Sequence, residues 1–363
     1  MYLYIIFTLL AILSFFQIAN YKIKQYPHFY DFSYWIWIWI LIFISGFRWE
    51  NGTDWDTYYT YFNWLKDVTC IGYMEPGFTL LTSFNSHYFN YTTQLTSIAI
   101  LSIVPIALQY KRISPYPLFS LFIWYATNFA NIFSVRQTIA ISLFVFSWKF
   151  IEEKKLWRFL ITIAIAMSFH LTAFVVIPTY FIWHRYFSAR FYIIVLSILT
   201  LISFSSEGLM QNIIYAIGGD LFKEKLEFYM EQNADSTFGS AYSTSQILIR
   251  GSVNRIFLFF IPLIFLNKLR LENSRLNAIY NFYFYSYVLF LIVSPISPAL
   301  GRLGTYTDMA QALLIPYLFT IRIDKKNTYL LIVLIIFYFI IRFKGIVFNY
   351  YDLYIPYNFV LFQ

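Results

Sequence analysis

Three arginines, two carboxylates and a histidine stand where apolar runs of this 363-residue chain stop or start. Ionisable groups are expensive at the edge of an apolar span, so each is a candidate for function. In GFRWENGTDW, Arg48 closes one apolar run, and Gly52, Thr53 and Asp54 form a turn-like sequence that returns the acid toward the apolar layer. EPGF sets Glu75 before Pro76 and Gly77, a sequence that breaks or begins a helix. In SVRQTIAISLF, Arg136 and Gln137 lie between two apolar runs with almost no aqueous loop, which asks for a protein-lined cavity around the guanidinium. AMSFHLTAF places His170 among apolar neighbours, where burial can tune it for proton transfer. GRLGTY brings Arg302 and Tyr306 beside Pro298, Gly301 and Gly304, residues that interrupt a helix. The five donors of a guanidinium suit phosphate or carboxylate. Each residue also has a plainer reading: a packed core histidine for His170, an aspartate serving turn amides for Asp54, an acid favoured at a helix start for Glu75.

The elements that must hold these residues follow from composition. Hydrophobic residues make up 60% of the chain and charged residues 12%, the latter roughly half the fraction of a soluble domain. Apolar runs long enough to cross a hydrocarbon core as helix recur along the chain, and runs such as LLIVLIIFYFIIRF lack the alternation of a membrane β-barrel. The expected class is therefore an all-α polytopic membrane protein, with about 10 to 12 transmembrane helices and with broken or short helices lining an outward-facing cavity. Candidate spans lie at 2–19, 33–47, 94–110, 117–133, 137–151, 157–169, 171–184, 191–206, 251–267, 278–296, 304–321 and 328–343. The first lacks a basic leader and a small-residue cleavage site, and reads as a retained helix.

Charge placement orders these spans. If Leu156 to Trp183 forms two short limbs meeting near His170, alternate loops carry the basic residues, among them Lys111, Arg112, Lys154, Lys155 and Arg158, and would be cytoplasmic. The acid-rich segments 48–91 and 207–250 then face outward together with the candidates, and both termini lie outside. Within the second segment, GGDLFKEKLEFYMEQ reads as an amphipathic helix for the membrane surface or as a solvated loop. The net charge of +8 comes from basic residues scattered between spans, which fits membrane orientation and excludes nucleic acid as a partner. Cys70 is the only cysteine, so no internal disulfide forms. No metal-ligand spacing is evident and no cofactor is expected. No linker or repeat divides the chain, and 1–363 reads as a single transmembrane domain.

In order, GFRWENGTDW, EPGF, VRQTIA with a following basic loop, SFHLTAF and GRLGTY resemble the EpsG family of bacterial polysaccharide polymerases, relatives of the Wzy polymerases, from about residue 46 to the closing YIPYNF. The resemblance implies a glycosyltransferase of the cytoplasmic membrane. On the outer face, it would move a growing glycan from undecaprenyl diphosphate to the acceptor hydroxyl of an incoming lipid-linked repeat unit, with membrane lipid and other polysaccharide export proteins as partners. Such a reaction needs a base for the hydroxyl and positive charge for the departing diphosphate. On this reading Arg136 and Arg302 meet the diphosphate with Arg48 as a third contact. His170 or Asp54 serves as base, Glu75 binds sugar hydroxyls or orients an arginine, and Gln137 and Tyr306 contact substrate. A flippase for the same lipids would show polar groups across the midplane and repeated halves, neither of which is apparent. A ligase or acyltransferase would use similar groups on a different acceptor.

Overall fold

The computed structural model describes residues 2–19, 27–52, 54–67, 73–205, 243–267, 274–296, 298–320, 325–349 and 351–362. The amphipathic stretch at 218–232, Thr53 and Cys70 lie outside the described residues. In chain order the helices are α1 (Tyr2–Ala19), α2 (Pro27–Gly46), α3 (Trp55–Asp67), α4 (Pro76–Tyr88), α5 (Tyr91–Ile113), α6 (Pro117–Ile132), α7 (Arg136–Glu152), α8 (Leu156–Phe169), α9 (Thr179–Ile182), α10 (Ala189–Ser205), α11 (Thr244–Ile264), α12 (Ser274–Val293), α13 (Thr305–Asp308), α14 (Gln311–Leu318), α15 (Lys325–Asn349) and α16 (Tyr351–Tyr354). Strands β1 (Arg48–Trp49) and β2 (Asn358–Phe359) pair antiparallel, Arg48 opposite Phe359.

Among the described residues, six helices are long and apolar enough to cross a membrane: Tyr2–Ala19, His28–Gly46, Tyr91–Ile113, Ser245–Ile264, Arg275–Val293 and Lys326–Phe348. The chain is a helical membrane protein. The other expected spans fall on shorter helices. The stretch from Leu156 is indeed broken: α8 ends at Phe169, His170 is extended, and a 3-10 turn runs over Leu171–Val176. The expected span 304–321 is likewise interrupted, as a 3-10 turn (Pro298–Gly304), the four-residue α13 and then α14. Gly304 lets this segment lie close to α12, since a Cβ there would sit 3.2 Å from the Ser286 carbonyl oxygen.

The chain divides into two compact units, one of Met1–Ile177 with Ile315–Gln363 and one of Pro178–Leu314. The first is built around α6, whose residues Leu118 to Ala126 are almost wholly buried. Its first amides would be unpaired in an apolar interior, and Gln17 of α1 supplies the acceptor: its Oε1 takes the N–H groups of Leu118 and Phe119 at 3.1 and 3.3 Å. By contrast α15 exposes Leu330, Val333, Leu334, Phe337, Ile340 and Ile341, an apolar face suited to lipid rather than water.

Ion pairs fix which helix ends lie together in this unit. Lys111 at the end of α5 meets Asp31 near the start of α2 at 3.1 Å, and neighbouring Arg112 meets Glu152 at the end of α7 at 2.8 Å. The end of α2, the start of α5 and the start of α7 therefore share the opposite end of the bundle. That end carries Arg48, Glu75 and Arg136. In the second unit, α12 packs against α10 and α11 through buried aromatics, among them Tyr192, Phe259 and Tyr280. Ser243 begins α11 with a reciprocal cap to Gln246.

Candidate active site

Four local structures build the site of the first unit. The turn after α2 is held by the C-terminal segment: Asn51 Oδ1 accepts the Asn358 N–H at 2.8 Å, and its Nδ2 donates to the carbonyls of Leu353 and Pro356. Gly52 turns there at φ +108°, a left-handed conformation that L side chains rarely adopt. Next, α3 places Trp55, Tyr58, Phe62 and Leu65 on one buried face, and Tyr61 Oη lies 2.7 Å from Thr79 Oγ1 of α4. Glu75 caps α4 with Pro76 at its first position. Finally, α6 kinks at Asn128, and only residues 133 to 135 separate it from α7, which begins at Arg136.

These elements bring Arg136, Glu75 and Tyr58 together. Arg136 Nη1 donates to Glu75 Oε2 at 2.5 Å, and its Nε donates to Tyr58 Oη at 3.0 Å. Two of its five N–H groups are thereby used, and Nη2 makes no hydrogen bond among the described residues. The side chains of Arg136 and Glu75 are 29% and 20% exposed, so the pair is reachable from outside the core. Burial pushes the Tyr58 hydroxyl above its ordinary range, against the opposing pull of Arg136, so it is a neutral phenol at working pH. Glu75 also reaches the break in α8, where its Oε1 accepts the Leu171 N–H at 3.4 Å. His170 is partly buried at that break with Nδ1 2.9 Å from Thr172 Oγ1. A carboxylate thus links an arginine to a histidine segment.

The close approach of α4 to the end of α8 depends on Gly77. A Cβ there would lie 2.9 Å from the Ser168 carbonyl oxygen and closer still to its hydroxyl. Gly77→Ala must push the two helices apart and is expected to cost about 1–3 kcal/mol. Thermal unfolding of the purified variant checks this; an unshifted midpoint would show that Ser168 yields freely.

Arg48 has a different setting. Only 2% exposed, it donates from Nη1 to Ser45 O at 2.9 Å and from Nη2 to Phe133 O at 2.9 Å, clamping the α2 turn to the end of α6. Burial pulls the guanidinium below its ordinary value, with nearby tyrosines acting the other way. Its Nε and the Trp55 Nε1 have no hydrogen-bond partner among the described residues, and both residues line a cleft of about 10 Å³ together with Asp54 and Tyr58. Asp54 is therefore a neighbour of Arg48 and Tyr58 across this cleft. Gln137 follows Arg136 in the first turn of α7 and is half-buried.

Arg302 and Tyr306 belong to the second unit, Arg302 exposed on the 3-10 turn and Tyr306 fully buried in α13. Beneath that turn runs a network absent from the sequence expectations. Arg255 Nη2 donates to Asp308 Oδ2 at 2.8 Å, and Ser286 Oγ donates to Asp308 Oδ1 at 2.5 Å. The available signal was an ionisable residue inside an apolar run, as in VNRIFLFF. Tyr58 carried no comparable signal among 33 tyrosines. Among the described residues no group of three His, Cys, Asp or Glu side chains could hold a metal ion, and the positive charge presented here is guanidinium.

No curated protein and no solved structure matches the chain. The pattern of the EpsG family matches residues 31–359, from within α2 to the last residue of β2, and so takes in the arginine, carboxylate and histidine segments alike. The chain belongs to the EpsG family.

Proposed function

We propose that this protein is a polysaccharide polymerase of the bacterial cytoplasmic membrane, a glycosyltransferase acting on the outer face. It moves glycan from undecaprenyl diphosphate to an incoming lipid-linked repeat unit. Membership of the EpsG family supports a polysaccharide-polymerase-like membrane protein in general. The observation that carries the specific reading is the Arg136, Glu75 and Tyr58 cluster, joined through Glu75 to the His170 break at one end of the helices.

In the proposed reaction the acceptor hydroxyl forms a bond to the anomeric carbon as the bond from that carbon to the diphosphate oxygen breaks. The electron pair leaves with the diphosphate, and the hydroxyl proton passes to a base. Arg136 stabilises the leaving group through its unused donors, where charge develops. Arg48 Nε, which makes no hydrogen bond among the described residues, offers one further contact, and Arg302 is a second diphosphate ligand on the sequence expectation alone. His170 or Asp54 takes the proton.

The test is purified protein in nanodiscs given lipid-diphosphate-linked repeat units from its own organism. Wild type is expected to give a ladder of products that His170→Ala and Arg136→Ala lose. Movement of labelled lipid across the bilayer without a ladder would replace the polymerase by a flippase.

A further inference from the structure

Arg136 and Glu75 each stand at the first turn or cap of a helix, partly exposed, at the end of a helical bundle that sits in lipid. A bilayer surface is crowded with phosphodiester head groups. An arginine placed there to receive a phosphate would bind them, because a guanidinium fits any phosphate. Glu75 stands in the way, its carboxylate on Nη1 of Arg136.

We infer that Glu75 is a specificity-determining counter-ion, which holds the phosphate position on Arg136 and yields it to a diphosphate but not to the phosphodiester of an ordinary membrane lipid. The inference rests on the diphosphate reading above. Its logic is an exchange. A phosphodiester carries one negative charge, the same as the carboxylate it would displace, so the exchange gains little and leaves Glu75 to find a new partner. A diphosphate ester carries more charge and a second set of oxygens, so that one set can take the Nη1 donor that Glu75 gives up while the other meets the free Nη2. Discrimination of this kind comes from a built-in repulsive element, not from tighter contacts alone.

The displaced carboxylate also has somewhere to go. Glu75 is the N-cap of α4 yet makes no side-chain capping bond. The amides of the first turn of α4 therefore offer it an alternative acceptor role, favoured by the helix dipole. The Leu171 N–H, already 3.4 Å from Oε1, holds the carboxylate near the His170 segment in either position.

The experiment measures binding of polyprenyl diphosphate to the full-length protein in nanodiscs of phosphatidylcholine and of phosphatidylglycerol, for wild type and Glu75→Gln. Wild type is expected to bind alike in both lipids. Glu75→Gln is expected to bind at least as well as wild type in phosphatidylcholine, whose phosphodiester is already balanced by its own choline cation, and to weaken about tenfold in phosphatidylglycerol, whose unbalanced phosphodiester now competes. Equal insensitivity to lipid in Glu75→Gln would overturn the inference. Should that variant not fold, Glu75→Asp, which keeps the charge, must retain the wild-type discrimination, and its loss would overturn the inference equally. If wild type bound no polyprenyl diphosphate in either lipid, the diphosphate reading itself would fall.

Discussion

Arg136→Lys is expected to lower polymer yield about 100-fold, the scale of losing one donor aimed at developing charge, although it keeps the positive charge. The reason is geometric. Arg136 spends Nε on Tyr58 and Nη1 on Glu75 and in this way fixes the plane that presents Nη2. An ammonium has no such plane and cannot stay on Tyr58 while offering the diphosphate a bidentate face. A Lys variant with unchanged yield would remove Arg136 from the diphosphate. Product length in nanodiscs, with expression and monodispersity matched to wild type, decides the matter.

The second large effect is on stability. Asp308→Ala is expected to destabilise the protein by about 3–5 kcal/mol, the cost of leaving one member of a buried pair without its partner. Both side chains of the Arg255 and Asp308 pair are only 12% exposed, and Arg255 lies over the Phe290 ring at 4.2 Å. Removal of the carboxylate strands a guanidinium inside an apolar helix and takes one acceptor from Ser286, whose hydroxyl keeps the Gly304 carbonyl. Replacing both residues, as Arg255→Leu with Asp308→Leu, is expected to recover most of the loss, since no charge is then left unpaired. Thermal unfolding of the two variants measures this, and a double variant as unstable as the single one would show that the pair does more than neutralise itself.

Much of this arrangement is legible in the sequence because local chemistry writes it there. Pro76 after Glu75 marks a helix start, and the shortness of the connection, with only Ser134 and Val135 between Phe133 and Arg136, forces α6 and α7 into a tight corner. The break at His170 follows from a basic-loop pattern that one continuous helix would violate. Pairing over distance is not legible. Glu75 and Arg136 are 61 residues apart, and Arg255 and Asp308 are 53 apart. A lone charge in an apolar run looks like a solvated turn until its partner is seen. Arg48 shows the reverse: its type suggested a ligand for phosphate, but two of its nitrogens are spent on backbone carbonyls of the fold. Nothing in the residue itself distinguishes those uses, because both ask for the same donors.

The central claim is that glycan leaves a diphosphate carrier at the Arg136 cluster, and the release of the carrier tests it most directly. With purified wild-type protein and lipid-linked repeat units, free polyprenyl diphosphate is expected to appear in step with each new linkage, one for one, and to vanish in Arg136→Ala. Polymer formed without release of the carrier, or release undiminished in Arg136→Ala, would contradict it.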